Sequence, residues 1–295
     1  MELFSLILGT IILRPYVFVF LLVYFWGCSM HLGVRRAILF CVIGYFIAWL
    51  SEYSSIHSGF PYGHYYYIEQ TKGKELWVLG VPWMDSISYV FLAYASHSTA
   101  ILAVSPLIRS GGMLYVLETR KLRGCFHTRL LGAVLFVYLD IIIDPVALRG
   151  DQWFLGQIYG YPARGVYFGI PISNFIGWFV VGFILIYVLQ KIDGLLRAEN
   201  VRDRFGYRFP WRFLIGPALY LGVVTFNSSV TFFIREYNIA WSGIFIILLP
   251  LFLLYSSIRA KLSSETLPSG ALENHLKDFP ERMVPNTRKS ELSNS

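Results

Sequence analysis

The chain has 295 residues, 56% hydrophobic and 18% aromatic, with only 15% charged and a mean hydropathy of +0.55. A soluble domain of this length has no means of hiding so much apolar surface, so a polytopic membrane protein is the class that fits. The net charge of +7 does not point to nucleic acid, because the basic residues lie in loops between apolar runs rather than in one patch.

In chain order, the first apolar run, Leu3–Leu13, is too short to span alone. It breaks at Arg14-Pro15 and reads as an interfacial or half-inserted entry. Spans are predicted at Pro15–Met30, Val34–Leu50, Trp83–Val104, Leu130–Asp144, Ile172–Leu189, Phe213–Phe233 and Ile239–Ile258. The fold class is all-α: an integral membrane bundle of about seven transmembrane helices, eight being the alternative count. The fourth span is short, which fits a helix ending inside a cavity. Residues 1–260 form the transmembrane domain, with two long outer loops at 52–82 and 145–171. Residues 261–295, rich in Ser, Glu, Lys and Pro, read as a disordered cytoplasmic tail.

Charge placement sets the expected orientation. Arg14, Lys72, Lys74, Arg149, Arg164 and Arg235 fall on one side of these spans, and the rest of the 25 Lys and Arg on the other. The N-terminus is then outside and the C-terminus cytoplasmic. Glu2 stands where a leader would be basic, so the start reads as mature sequence. Cys28, Cys41 and Cys125 lack CxxC spacing and read as packing residues.

The two outer loops echo each other. The first has Gly59-Phe-Pro61, Gly63-His-Tyr65 and Gly80-Val-Pro82; the second has Gly160-Tyr-Pro162, Gly165-Val-Tyr167 and Gly169-Ile-Pro171. Asp85 or Asn174 follows the last proline by three residues, and an aromatic (Tyr89 or Trp178) follows four later. Each loop also succeeds a span that ends in acid. This reads as a duplicated helix–loop–helix unit whose loops fold over one pocket; the alternative is the ordinary enrichment of Gly, Pro and aromatics at membrane interfaces.

The candidate chemistry lies on the outer side. Asp140 and Asp144 share a helical face, so two ionised carboxylates would repel and a neutral acid beside an anion is expected. That pair suits general acid catalysis, with a salt bridge to Arg149 or Arg164 as the structural alternative. Glu52 sits at a helix C-terminus, where an anion is disfavoured, and Asp85 either acts in the site or caps its helix. His57, His64, Tyr65, Trp83, Tyr167, Arg164 and Asn174 are candidates for binding substrate, and the tyrosines alternatively form an interfacial belt. The histidines lack the spacing of a metal site, and His97 and His127 carry weak signals. The inner side offers mainly Arg and Lys, for which anionic headgroups suffice. No Lys lies within a predicted span, which excludes a retinal Schiff base, and there is no phosphate-cradling loop or nucleophile elbow.

Glu52 through Gly59-Phe-Pro-Tyr-Gly-His-Tyr65, Leu79-Gly-Val-Pro-Trp83, Asp140 to Asp144-Pro145, and Tyr167-Phe-Gly-Ile-Pro171-Ile-Ser-Asn174-Phe-Ile-Gly-Trp178 together resemble the carotenoid biosynthesis membrane-protein family. The resemblance runs from about Arg14 to Ile258. That family includes carotenoid 1,2-hydratases acting on γ-carotene and bisanhydrobacterioruberin. It implies hydration of the terminal double bond of an acyclic (ψ) end group, a lipid-soluble polyene substrate, membrane lipids as surroundings, and no metal or redox cofactor. The rivals are a lipid or isoprenoid transporter, which needs polar residues on both sides of the midplane, and an isoprenoid isomerase or cyclase using the same acid.

Overall fold

A computed structural model describes residues 2–196, 208–264 and 267–284. The predicted inner-side residues Arg197, Arg202, Arg204, Arg288 and Lys289 lie outside these. The chain opens with α1 (Glu2–Leu13) and α2 (Pro15–His31), bent by 90° at Arg14-Pro15. The short first run is therefore a separate helix set across the second. Then come α3 (Val34–Ser58), the first long loop with strands β1 (Tyr66–Tyr67), β2 (Trp77–Val78) and β3 (Val81–Pro82), and α4 (Trp83–Val104). The far end carries the hairpin β4 (Leu107–Ser110) and β5 (Met113–Val116), then the short α5 (Arg120–Gly124). Next are α6 (Phe126–Ala147), the second long loop with β6 (Tyr159–Gly160), and α7 (Ile172–Leu195). The chain closes with α8 (Ile215–Phe233), α9 (Tyr237–Ser263) and α10 (Ala271–Asp278).

Among the described residues six helices are long and apolar enough to cross a membrane, and the bent pair α1–α2 makes a seventh if it counts as one span. The chain is a polytopic helical bundle. The centre is α4, whose Tyr89 to Leu102 stretch is buried throughout. Small residues there, such as Ala93, Ala95 and Ser96, let neighbouring helices approach closely. Helices α3, α4, α6 and α7 form a closed ring, each packed on the next, while α2 and α8 cover the other face of α4. Helices α3 and α9 are the most exposed spans, as lipid-facing helices are.

Three expectations change at helix ends. Helix α3 runs on to Ser58, so Glu52 lies inside it rather than at its C-terminus. Helix α6 begins at Phe126 and passes through Pro145 to Ala147, so the fourth span is neither short nor stopped by the proline. A proline removes one donor but does not end a helix whose packing holds the turn. The tail is not disordered from Lys261 onward: α9 reaches Ser263, and α10 folds back, with Leu272, Phe279 and Val284 buried. Leu272 and Val284 join Leu107, Leu117 and Phe213 in a second apolar core.

That second core surrounds a buried ionic cluster. Glu118 accepts from His31 Nε2 at 2.9 Å and from Arg282, and lies 3.7 Å from Arg123. His275 Nδ1 donates to the Glu118 carbonyl at 2.6 Å. Asp193 pairs with Arg36 at 2.9 Å and Arg123 at 2.8 Å. Burial pushes the Glu118 carboxyl up, but His31, Arg123 and Arg282 outweigh it and hold it well below the usual range. The far end of the bundle thus carries acids as well as bases, contrary to the reading of a side with little but Arg and Lys. His97 borders a small cavity in this region with His31 and Asp193, and His127 lies in the first turn of α6.

Candidate active site

The two long loops meet over the other end. Strand β1 pairs antiparallel with β6, placing Tyr66 opposite Gly160 and Tyr67 opposite Tyr159. The loops also re-enter the bundle alike. Leu79 and Gly80 have φ of 48° and 84°, and Phe168 and Gly169 have 49° and 97°. In both copies the turn delivers a proline that opens a helix, Pro82 before α4 and Pro171 before α7. The duplicated pattern thus has a duplicated backbone course. At Gly177 an added Cβ would fall 2.8 Å from the Tyr62 Cα, so only glycine lets the first loop lie on α7.

Beneath the loops is a cavity of about 120 Å³. Its polar wall has Glu52 from α3, Asp85 from α4, Asp144 from α6 and Asn174 from α7, one residue from each helix of the ring. Asn174 Nδ2 donates to Asp140 Oδ2 at 2.9 Å and to Asp144 Oδ2 at 2.8 Å. Asp144 also accepts from Tyr159 at 2.9 Å and Tyr161 at 3.2 Å. Asp140, one turn deeper and fully buried, has no hydrogen-bond donor on its Oδ1. Glu52 accepts from Tyr67 at 3.2 Å and from Ser86, and Tyr65 donates to Tyr67 at 3.3 Å. In each half, then, an acid near the end of one helix is held by a polar residue in the first turn of the next.

The loop tyrosines are the donors in this arrangement. Burial, and then the neighbouring Asp144, pushes the Tyr159 and Tyr161 hydroxyls well above the usual range; burial and then Glu52 do the same to Tyr65 and Tyr67. All four stay as O–H groups: Tyr67, Tyr159 and Tyr161 donate to carboxyls, and Tyr65 donates to Tyr67. The Tyr65 ring lies between the two acid groups, with centroids 5.3 Å from Tyr67, 6.1 Å from Tyr159 and 6.3 Å from Tyr161.

Glu52, Asp85, Asp144, Tyr65 and Asn174 are brought together, with Asp140 directly behind. The other candidates lie elsewhere. His57 is exposed and bonds the Tyr53 carbonyl at 2.7 Å, and His64 is exposed beside Gly59. Trp83 stacks on Phe18 behind the site, Tyr167 packs on Phe168 and Phe175, and Arg164 is exposed on its loop. The salt-bridge alternative for the aspartates does not hold for Arg149, which bonds the Phe168 carbonyl at 2.9 Å and lies 3.5 Å from Glu236.

Sequence reasoning missed Ser86, Tyr159, Tyr161 and Asn227, which bond the acids or line the cavity. Tyr159 and Tyr161 carried a usable signal, since residues two apart in extended chain share a face.

No curated protein and no solved structure matches the chain. A family model described as "Carotenoid biosynthesis protein" matches residues 2–250, which takes in every helix of the bundle up to the middle of α9 and all of the acidic cavity. The chain therefore belongs to the carotenoid biosynthesis protein family.

Proposed function

We propose that this protein is a hydratase that adds water across the terminal C1=C2 double bond of an acyclic carotenoid end group. The observation that carries the reading is Asn174 bridging Asp140 and Asp144, with Asp144 facing an apolar-floored cavity. Asn174 satisfies one oxygen of each acid, and a proton between the two carboxyls accounts for the rest. An alkene is a poor base, so its protonation calls for an acid kept away from water. Asp144 delivers that proton to C2, and its charge is then received by Tyr159, Tyr161 and Asn174. The tertiary cation left at C1 lies among the Glu52 carboxylate and the faces of Tyr65 and Tyr89. Asp85 orients a water whose oxygen bonds to C1 and takes the proton that this water releases. The bonds balance without an oxidant or reductant.

In this reading the site opens at the outer face of a prokaryotic cell membrane, with the C-terminal residues in the cytoplasm, and the polyene lies among the lipids. Expression in a lycopene-producing bacterium tests it: pigments heavier by one water are expected, and unchanged pigment contradicts it.

The transporter reading gains one observation, the buried ionic cluster at the far end. Between that cluster and the cavity, however, Tyr89, Phe136 and Trp178 pack ring on ring, at 4.6 to 5.9 Å between centroids, and close the centre of the bundle. An isomerase or cyclase shares the protonation step and is separated by the product alone.

A further inference from the structure

We propose that the long chain of the substrate leaves the cavity sideways, between α2 and α8, past an aromatic door whose moving leaf is Phe226; this rests on the polyene substrate proposed above. A cavity of about 120 Å³ has room for about four water molecules at the roughly 30 Å³ each occupies in the liquid. That suits one branched end group. A forty-carbon polyene is about as long as the hydrocarbon core is thick, roughly 30 Å, so most of it must lie outside the cavity.

The walls differ in thickness. Tyr62 of the first loop, Met84 and Tyr89 of α4 and Trp178 of α7 line the cavity and are themselves buried, whereas Ile143 and Ala147 of α6 are half-buried. On the α2 side the lining residues Tyr16 and Phe20, with Trp153 of the second loop, are only half-buried, so each touches both the cavity and the outside, while Val223 and Asn227 of α8 line the cavity as buried residues. This wall is a single layer of rings.

Phe226 closes that layer. Its ring stacks on Tyr16 (5.1 Å, 19°), meets Phe20 edge-on (5.8 Å, 82°) and lies 6.3 Å from Trp153. Trp153 is tied in place by its indole N–H to the Val146 carbonyl at 3.2 Å. The Phe226 ring makes no hydrogen bond, so the leaf turns by a rotamer change beside the anchored Trp153. One turn earlier on α8, Gly222 leaves room beside Phe20, where an added Cβ would stand 4.0 Å from the ring. A chain passing here would follow Phe20, Phe91, Leu92 and Val223, the apolar floor of the cavity. Phe20, Val223 and Phe226 are thus specificity determinants for chain length.

A photoreactive benzoylphenylalanine placed at Phe226, and as control at Phe245 on the exposed face of α9, tests the door in carotenoid-containing membranes. Capture of pigment at 226 well above 245 is expected; equal capture overturns the proposal. This readout needs no turnover, so it decides the door even if wild-type protein hydrates nothing and the functional reading fails. In detergent, Phe226→Trp should lower the ratio of full-length to short acyclic monoterpene turnover by about tenfold, and Phe226→Ala should raise it. A ratio unchanged in both variants overturns the proposal.

Discussion

Tyr89 and Trp178 stack face to face at the centre of the bundle, 4.6 Å apart with 19° between their planes. They hold equivalent positions in the two echoing units, each seven residues after the proline that opens its helix. The contact joins α4 to α7 beneath the cavity, and the acids of both units converge above it. Trp178→Ala should cost about 3–5 kcal/mol, as for large aromatic truncations in cores. Thermal unfolding in detergent measures this, and an unchanged midpoint would remove the stack from the account of stability.

Asn174 is expected to matter for turnover more than for binding. Replacing it with Leu leaves Asp140 and Asp144 without their common donor and should lower kcat by about 10²-fold, as for loss of one donor at a developing charge. Steady-state kinetics on an acyclic carotenoid should show KM changing less than kcat.

Tyr159→Phe and Tyr161→Phe each remove one O–H donor from Asp144 and keep the ring. Each should slow turnover by about tenfold, equivalent to 1.4 kcal/mol, and the double variant should fall short of the product because both act on one carboxyl. A double-variant cycle of rates checks this.

At the far end the C-terminal segment should come loose on acidification. Glu118 is held below its usual value, so its contribution is present at neutral pH and is lost as pH falls through the carboxylate range. Burial, the first cause, also lowers His275, which favours release as pH drops below the ordinary histidine value near 6.5. Both signs agree. Limited proteolysis within 267–284 should accelerate as pH is lowered, and Glu118→Gln should loosen the segment already at neutral pH.

Much of the bundle was legible because a membrane demands long apolar runs. Trp83–Val104 was read with its true limits, since Pro82 precedes it and a polar break follows. Proline misled at Pro145, where neighbouring helices carry α6 one turn further. In the candidate site, Glu52, Asp85, Asp140, Asp144 and Asn174 stand out in the sequence because a polar group near the end of an apolar span needs a reason. His57, His64, Arg164, Trp83 and Tyr167 could not be sorted from Tyr159 and Tyr161, because side-chain direction in a loop follows no period. The Glu118 cluster was invisible for another reason: its partners His31, Arg123 and Arg282 are far apart in sequence and meet only when the chain folds back.

The proposal that Asp144 protonates the substrate is tested most directly by expressing wild type and Asp144→Asn side by side in a lycopene-producing bacterium, with protein levels matched. Pigment heavier by one water in the wild type and absent in the variant is the expected result. Wild-type product levels from Asp144→Asn would contradict it.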